Sequence, residues 1–309
     1  MVLSLICPTK DPVPWVVAIK AIAPDIDVRV WPDDGDKAAV TFALVWAQPQ
    51  GIFSQYPNLQ VISSMGAGVD SLLKDGSIPK QATIVRMVDP RLVSQMGDYV
   101  LTATLNHVRQ FPGYAAQQQQ RQWRPLPPRN IDAVTVGVMG LGQIGRAVAN
   151  RLVQTGFQVV GWSRREKSIA DVQVFTGQER LSNFLAASQI LVCLLPLTSE
   201  TEGILNTDTL AQLPQGAYVI NVARGHHLVE EDLLSLLTSN HLVGACLDVF
   251  RQEPLPQSHP FWSHPNITIT PHIASLTDPS SVAHQIVDNY RRLADGQPLL
   301  NQVDIQQGY

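Results

Sequence analysis

The 309-residue chain has only three cysteines, Cys7, Cys193 and Cys246, each inside an apolar run. An odd number of thiols in such contexts excludes a disulfide framework and suits a reducing compartment, the cytoplasm. Charge is scarce too: 16% of residues are charged and the net charge is -4, so no general attraction to nucleic acid is expected. The pairs Arg164-Arg165 and Arg291-Arg292 are too short to be basic tracts. No run reaches the ~18–20 apolar residues that span a bilayer. The apolar start, Met1 to Cys7, lacks the basic region and small-residue cleavage site of a signal peptide, and reads as a first strand. Metal-ligand spacing is absent, since His226-His227 has no third ligand, and no solenoid repeat appears.

What the chain does have is apolar residues, 45% of the total, enough for two cores at a length that suits two domains. The first part alternates short apolar runs, Val2–Cys7, Val28–Trp31, Ala43–Ala47, Val61–Ser64 and Ile84–Met87, with helical patterns such as Trp15–Ala23. A longer helical pattern follows from Val93 to about Phe111. It leads into a glutamine-rich stretch ending in the prolines at 125, 127 and 128, read as a solvated helix end plus linker or as an arm for a partner subunit. The second part has six apolar runs, Val134–Met139, Val159–Trp162, Ile190–Leu195, Ala217–Val222, Val243–Val249 and Ile267–Thr270. Strands joined by helices predict parallel sheets with crossover connections, the doubly wound α/β class.

Gly140-Leu141-Gly142-Gln143-Ile144-Gly145 lies between a predicted strand and a helix marked by Ile144, Val148 and Leu152. That context makes it a dinucleotide fingerprint: glycines for a tight turn, for backbone approach to a pyrophosphate, and for close helix–sheet packing. The phosphates would meet the free N–H groups and positive end of the helix. An acid is expected at the end of the second strand to bind a ribose 2′-hydroxyl. Here stands Ser163-Arg164-Arg165, which would hydrogen-bond and neutralise a 2′-phosphate, so NADPH is expected over NADH. In the first part, Gly66-Ala67-Gly68-Val69-Asp70 follows a strand and reads either as an ordinary strand-to-helix turn or as a cradle of N–H groups for a substrate carboxylate.

Three residues carry the chemistry. Arg224, Glu253 and His272 each fall just past a run read as a buried parallel strand, and ligands of open α/β sheets bind outside the carboxyl ends of strands. A cation, an acid and an imidazole would therefore meet in one crevice. Asp248 is a rival acid for the histidine, but it falls inside its strand.

With these motifs the chain resembles the D-2-hydroxyacid dehydrogenase family over essentially its whole length, most specifically at Ala217–Gly225, Asp248–Pro256, Ile267–Ala274 and Gln302–Tyr309. The resemblance implies two doubly wound parallel-sheet domains. A flavodoxin-like substrate domain, 1–97 and 278–309, would flank a Rossmann-type cofactor domain, 98–277. It implies Arg224, Glu253 and His272 as the catalytic set, Gly66 to Val69 with Arg224 as substrate contacts, and a homodimer in the cytoplasm. Leu195, Pro196, Ala223 and Asp248 join Gly140–Gly145 and Ser163–Arg165 as expected cofactor contacts. The activity implied is NADPH-dependent reduction of small 2-oxo acids, glyoxylate and hydroxypyruvate first, with domain closure assembling the site. Formate dehydrogenases share the fold but carry glutamine where this chain has Glu253. A nucleotide-sensing corepressor is the non-enzymatic alternative, disfavoured by the complete catalytic set.

Overall fold

The structure, a computed structural model, describes residues 1–304, so Ile305 to Tyr309 of the last matching run lie outside the described residues. The chain divides into two units, Met1–Leu92 together with the segment from Leu276 on, and Val93–Ser275.

In the first unit β1 (Val2–Ile6), β2 (Asp27–Val30), β3 (Val40–Val45), β4 (Val61–Ser64) and β5 (Thr83–Val85) form one parallel sheet in the order β2-β1-β3-β4-β5. Helices α1 (Val13–Ile22) and α2 (Asp70–Leu73) lie in its first segment. The order reverses between β1 and β3, which places a crevice at their carboxyl ends. Trp15 and Ile19 of α1 share a core with Leu3 and Leu5 of β1 and with Val282, Ala283, Ile286 and Val287. These last four lie on the final helix, so the carboxyl-terminal segment completes this unit. Each of these valines, leucines and isoleucines, fully buried, contributes about 1.5–3 kcal/mol.

The second unit opens with the greater part of α3 (Pro90–Val108) and with α4 (Phe111–Gln119). The glutamine stretch thus begins as helix, and Gln117 is buried. Seven strands follow: β6 (Thr135–Met139), β7 (Gln158–Ser163), β8 (Val172–Thr176), β9 (Ile190–Cys193), β10 (Ala217–Asn221), β11 (Leu242–Leu247) and β12 (Ile267–Ile269). They run parallel in the order β12-β11-β10-β9-β6-β7-β8. Six of these match the apolar runs of the sequence. The seventh, β8, is an edge strand with only Phe175 buried, so it has no continuous apolar run to announce it. Helices α5 (Gln143–Thr155), α6 (Leu181–Ala187), α7 (Thr207–Leu210) and α8 (Glu230–Thr238) connect the strands, and α9 (Pro279–Ala294) is the helix that completes the first unit. Two cores form on opposite faces of the sheet. Val219 contributes to one, while its strand neighbours Tyr218 and Ile220 contribute to the other, as the period of two requires. The switch point falls between β6 and β9.

Candidate active site

The turn after β6 is shaped by close approach. Gly140 has φ +105°, and a Cβ on Gly145 would stand 1.8 Å from the Gly140 carbonyl oxygen. A side chain at either position would open the turn and move α5 off the sheet. Above Gly142, by contrast, a Cβ would meet nothing within 4 Å. This open space adjoins the first turn of α5, whose N–H groups have no carbonyl partner within the helix. The residues present therefore fit a dinucleotide pyrophosphate.

At the end of β7, Ser163 is buried and its hydroxyl donates to the Arg165 carbonyl at 2.7 Å, fixing the turn that presents both arginines. Both are exposed, and Arg164 lies 3.4 Å from Glu200. Such a solvated pair contributes little and yields readily to a doubly charged phosphate.

Arg224, Glu253 and His272 follow β10, β11 and β12, three adjacent strands of one sheet. Asn221, fully buried at the end of β10, accepts from the Ala223 N–H at 3.2 Å and donates to the Arg224 carbonyl at 3.0 Å. The guanidinium bonds the Ala223 carbonyl at 2.7 Å. Gly225 then passes against the next loop, where a Cβ would fall 1.9 Å from the Phe250 carbonyl carbon. Only glycine allows the arginine turn and the glutamate turn to touch.

Glu253 accepts from the Phe250 N–H at 2.9 Å through Oε1, and its Oε2 stands 2.7 Å from Nδ1 of His272. Burial alone would raise this carboxyl. The hydrogen bonds from His272 and Phe250, with the charges of His272 and Arg224, outweigh burial and hold Glu253 below its ordinary value.

His272 itself has φ +55°, a left-handed conformation that costs a side-chain-bearing residue about 1–2 kcal/mol. Asp248 enforces it. Its carbonyl accepts the His272 N–H at 2.8 Å, and its carboxylate accepts Ile273 N–H and Ala274 N–H, each at 2.8 Å. The Thr270 hydroxyl bonds the same carboxylate and is itself bonded to the Tyr99 hydroxyl on α3. Asp248, expected among the cofactor contacts, thus has both oxygens engaged in holding the turn that carries the histidine. Asn221 and Asp248 were open to detection as polar residues within apolar runs, since a buried polar group must find partners; Asp248, read as lying inside its strand, comes just after β11, which ends at Leu247.

Leu195 and Pro196 follow β9, beside β10, and Ala223 precedes the arginine. In the first unit the Gly66–Val69 loop links β4 to α2. The Gly66 N–H donates to the Ser64 hydroxyl at 3.2 Å, so among the described residues the loop's open N–H groups are those of Ala67, Gly68 and Val69. A cavity of about 490 Å³, lined by His107, Arg129, Gln189 and Gln215, lies at the opposite, amino ends of β6, β9 and β10. It is remote from all three strand-end residues. No helix among the described residues is long and apolar enough to cross a membrane.

A glycine turn at the switch point, with an arginine and an acid–imidazole pair on the strand ends, describes a dinucleotide-dependent dehydrogenase. Residues 101–274 match the D-isomer specific 2-hydroxyacid dehydrogenase, NAD binding domain, and the chain belongs to that family. Within it, the chain is 43% identical over 300 residues to glyoxylate/hydroxypyruvate reductase A of Serratia proteamaculans (strain 568), covering 96% of each. It is also similar to the D-isomer specific 2-hydroxyacid dehydrogenase of Xanthobacter autotrophicus Py2, solved in complex with NADPH and MES. There the TM-score is 0.92 at 42% identity, over 100% of this chain and 99% of that one. The NADPH-dependent glyoxylate/hydroxypyruvate reductase of Sinorhizobium meliloti, solved with NADP and sulfate, matches with TM-score 0.92 at 35% identity over 99% of each.

Proposed function

We propose that this chain is an NADPH-dependent reductase of small 2-oxo acids, glyoxylate and hydroxypyruvate first, acting as a homodimer in the cytoplasm. The observation that carries the reading is the 2.7 Å pairing of His272 with Glu253 on strand ends adjacent to that of Arg224. The guanidinium of Arg224 holds the substrate carboxylate and ketone oxygen together, which fixes the acid and polarises the carbonyl. NADPH, when bound, supplies the hydride for C2. His272 then gives its proton to the developing alkoxide. Glu253, engaging Nδ1, fixes the ring's orientation and tautomer, so the proton delivered is the one on Nε2. In the first unit the N–H groups of Ala67, Gly68 and Val69 form a cradle suited to a carboxylate. Gly140 to Gly145 seat the pyrophosphate, Arg164 and Arg165 take the 2′-phosphate, and Leu195, Pro196 and Ala223 wall the cofactor.

The dimer is supported by the segment from Phe111 to Asn130, where Trp123 is fully exposed and Phe111 is largely so. Light scattering should give about twice 33.9 kDa, and a monomer at micromolar concentration would refute that part of the proposal.

The activity is tested by following NADPH and NADH oxidation side by side with glyoxylate, hydroxypyruvate and pyruvate. Changing Arg164 and Arg165 together to alanine should raise the KM for NADPH at least about tenfold, because charge-assisted bonds of about 1.5–3 kcal/mol each are lost. The KM for NADH should hardly move. Equal damage to both cofactors would remove the 2′-phosphate assignment.

A further inference from the structure

Two imidazoles follow Arg224, and the second is fully buried. His227, at the end of the short turn Gly225–His227, has no exposed surface. Its Nδ1 lies 3.2 Å from the main-chain nitrogen of Arg224, and its Nε2 lies 3.3 Å from the carbonyl oxygen of Pro196. A carbonyl can only accept, so the proton belongs on Nε2; Nδ1 of that tautomer is then an acceptor and takes the Arg224 N–H. Nδ1 also stands 3.1 Å from the Arg224 carbonyl. That oxygen already receives Asn221 Nδ2 at 3.0 Å and the His227 N–H at 3.2 Å. One tautomer therefore satisfies both sides of the ring.

An apolar side chain would fill the same space without the desolvation cost of two ring nitrogens. The imidazole instead acts as a rigid spacer between two loops. One leaves β10 with Arg224, and the other leaves the adjacent β9 with Pro196. We propose that His227 is a positioning residue for the reduction, holding the main chain of the Arg224 clamp at a fixed separation from the Pro196 wall of the cofactor site. The proposal rests on the reading of Arg224 as substrate clamp and Pro196 as cofactor wall.

The two ring nitrogens have separable jobs, and three variants of the full chain divide them. His227→Asn places an amide oxygen near the Nδ1 position, where it can accept from Arg224 but cannot reach Pro196. His227→Gln carries an amide nitrogen toward Pro196 and leaves the Arg224 N–H without its acceptor. His227→Leu does neither. The KM for glyoxylate should rise at least about tenfold in the Leu and Gln variants and return close to wild type in the Asn variant. NADPH affinity, read by fluorescence titration without substrate, should follow the opposite order: weakened in Asn and Leu, near wild type in Gln. A purely structural histidine would move KM, affinity and melting temperature together, so parallel changes in the Asn and Gln variants overturn the proposal. So do unchanged kinetics in all three, or loss of folded, NADPH-binding protein in all three. Arg224→Lys is measured alongside. If it leaves glyoxylate kinetics intact, the clamp reading itself fails. If it is crippled while Asn and Gln at 227 behave alike, only the role of His227 fails.

Discussion

His272→Asn should lower turnover with glyoxylate by about 10²–10⁴-fold, the range that a positioned acid contributes, while NADPH still binds. Asparagine can hydrogen-bond Glu253, but it has no proton to release at neutral pH. Glu253→Gln should be milder, because an amide still holds the ring through the Nδ1 contact observed at 2.7 Å. What it loses is the carboxylate charge beside the ring, so turnover should fall by a smaller factor than in His272→Asn while NADPH still binds. Stability depends on pH through the acid. Glu253 is held below the ordinary carboxyl value of 4.5, so its pairing contributes stability that is complete above that value and lost as the pH falls through the depressed one. Melting temperatures of Glu253→Gln should therefore lack this acid-side decline. Wild-type turnover in Glu253→Gln would mean that the acid is not the histidine's partner.

Arg224→Lys tests the residue proposed as the substrate clamp. Lysine keeps the charge and loses the planar fork that can hold two oxygens at once. Its flexible ammonium could meet the carboxylate yet leave the ketone poorly polarised. The loss of one preorganised donor to a developing oxyanion costs about 10²–10³ in kcat, and glyoxylate affinity should fall as well. NADPH titrations without substrate should hardly change. Arg224→Gln should be worse, since the carboxylate would enter without a counter-charge. Near-wild-type kinetics for Arg224→Lys on every 2-oxo acid would make Arg224 a structural cation and send the carboxylate to another host.

Much of the site was legible because periodicity and position are properties of the chain itself. Buried parallel strands read as continuous apolar runs, and the residue just past such a run stands at the sheet edge where ligands bind. That reasoning was enough to place Arg224, Glu253 and His272 at strand ends, and the glycine turn at the head of α5. The half-exposed edge strand Val172–Thr176 escaped it for want of an apolar run, and the glutamine stretch read as a solvated helix end belongs to a separate helix, Phe111–Gln119, that buries Gln117.

The sequence by itself determined the class of fold, the chemical groups available and the arginine pair that ends the second strand of the cofactor unit, because these follow from residue type and spacing. Tertiary structure alone decided which partners the polar groups took. Asp248 is 24 residues before His272 in the chain and holds its turn through three hydrogen bonds. His227 spans from Arg224 to Pro196, on the loop of a different strand. Gly225 is required by the backbone of Phe250, which comes 25 residues later. Hydrogen bonds and close packing depend on separations of tenths of an ångström, and those are set only when strands distant in the chain lie side by side.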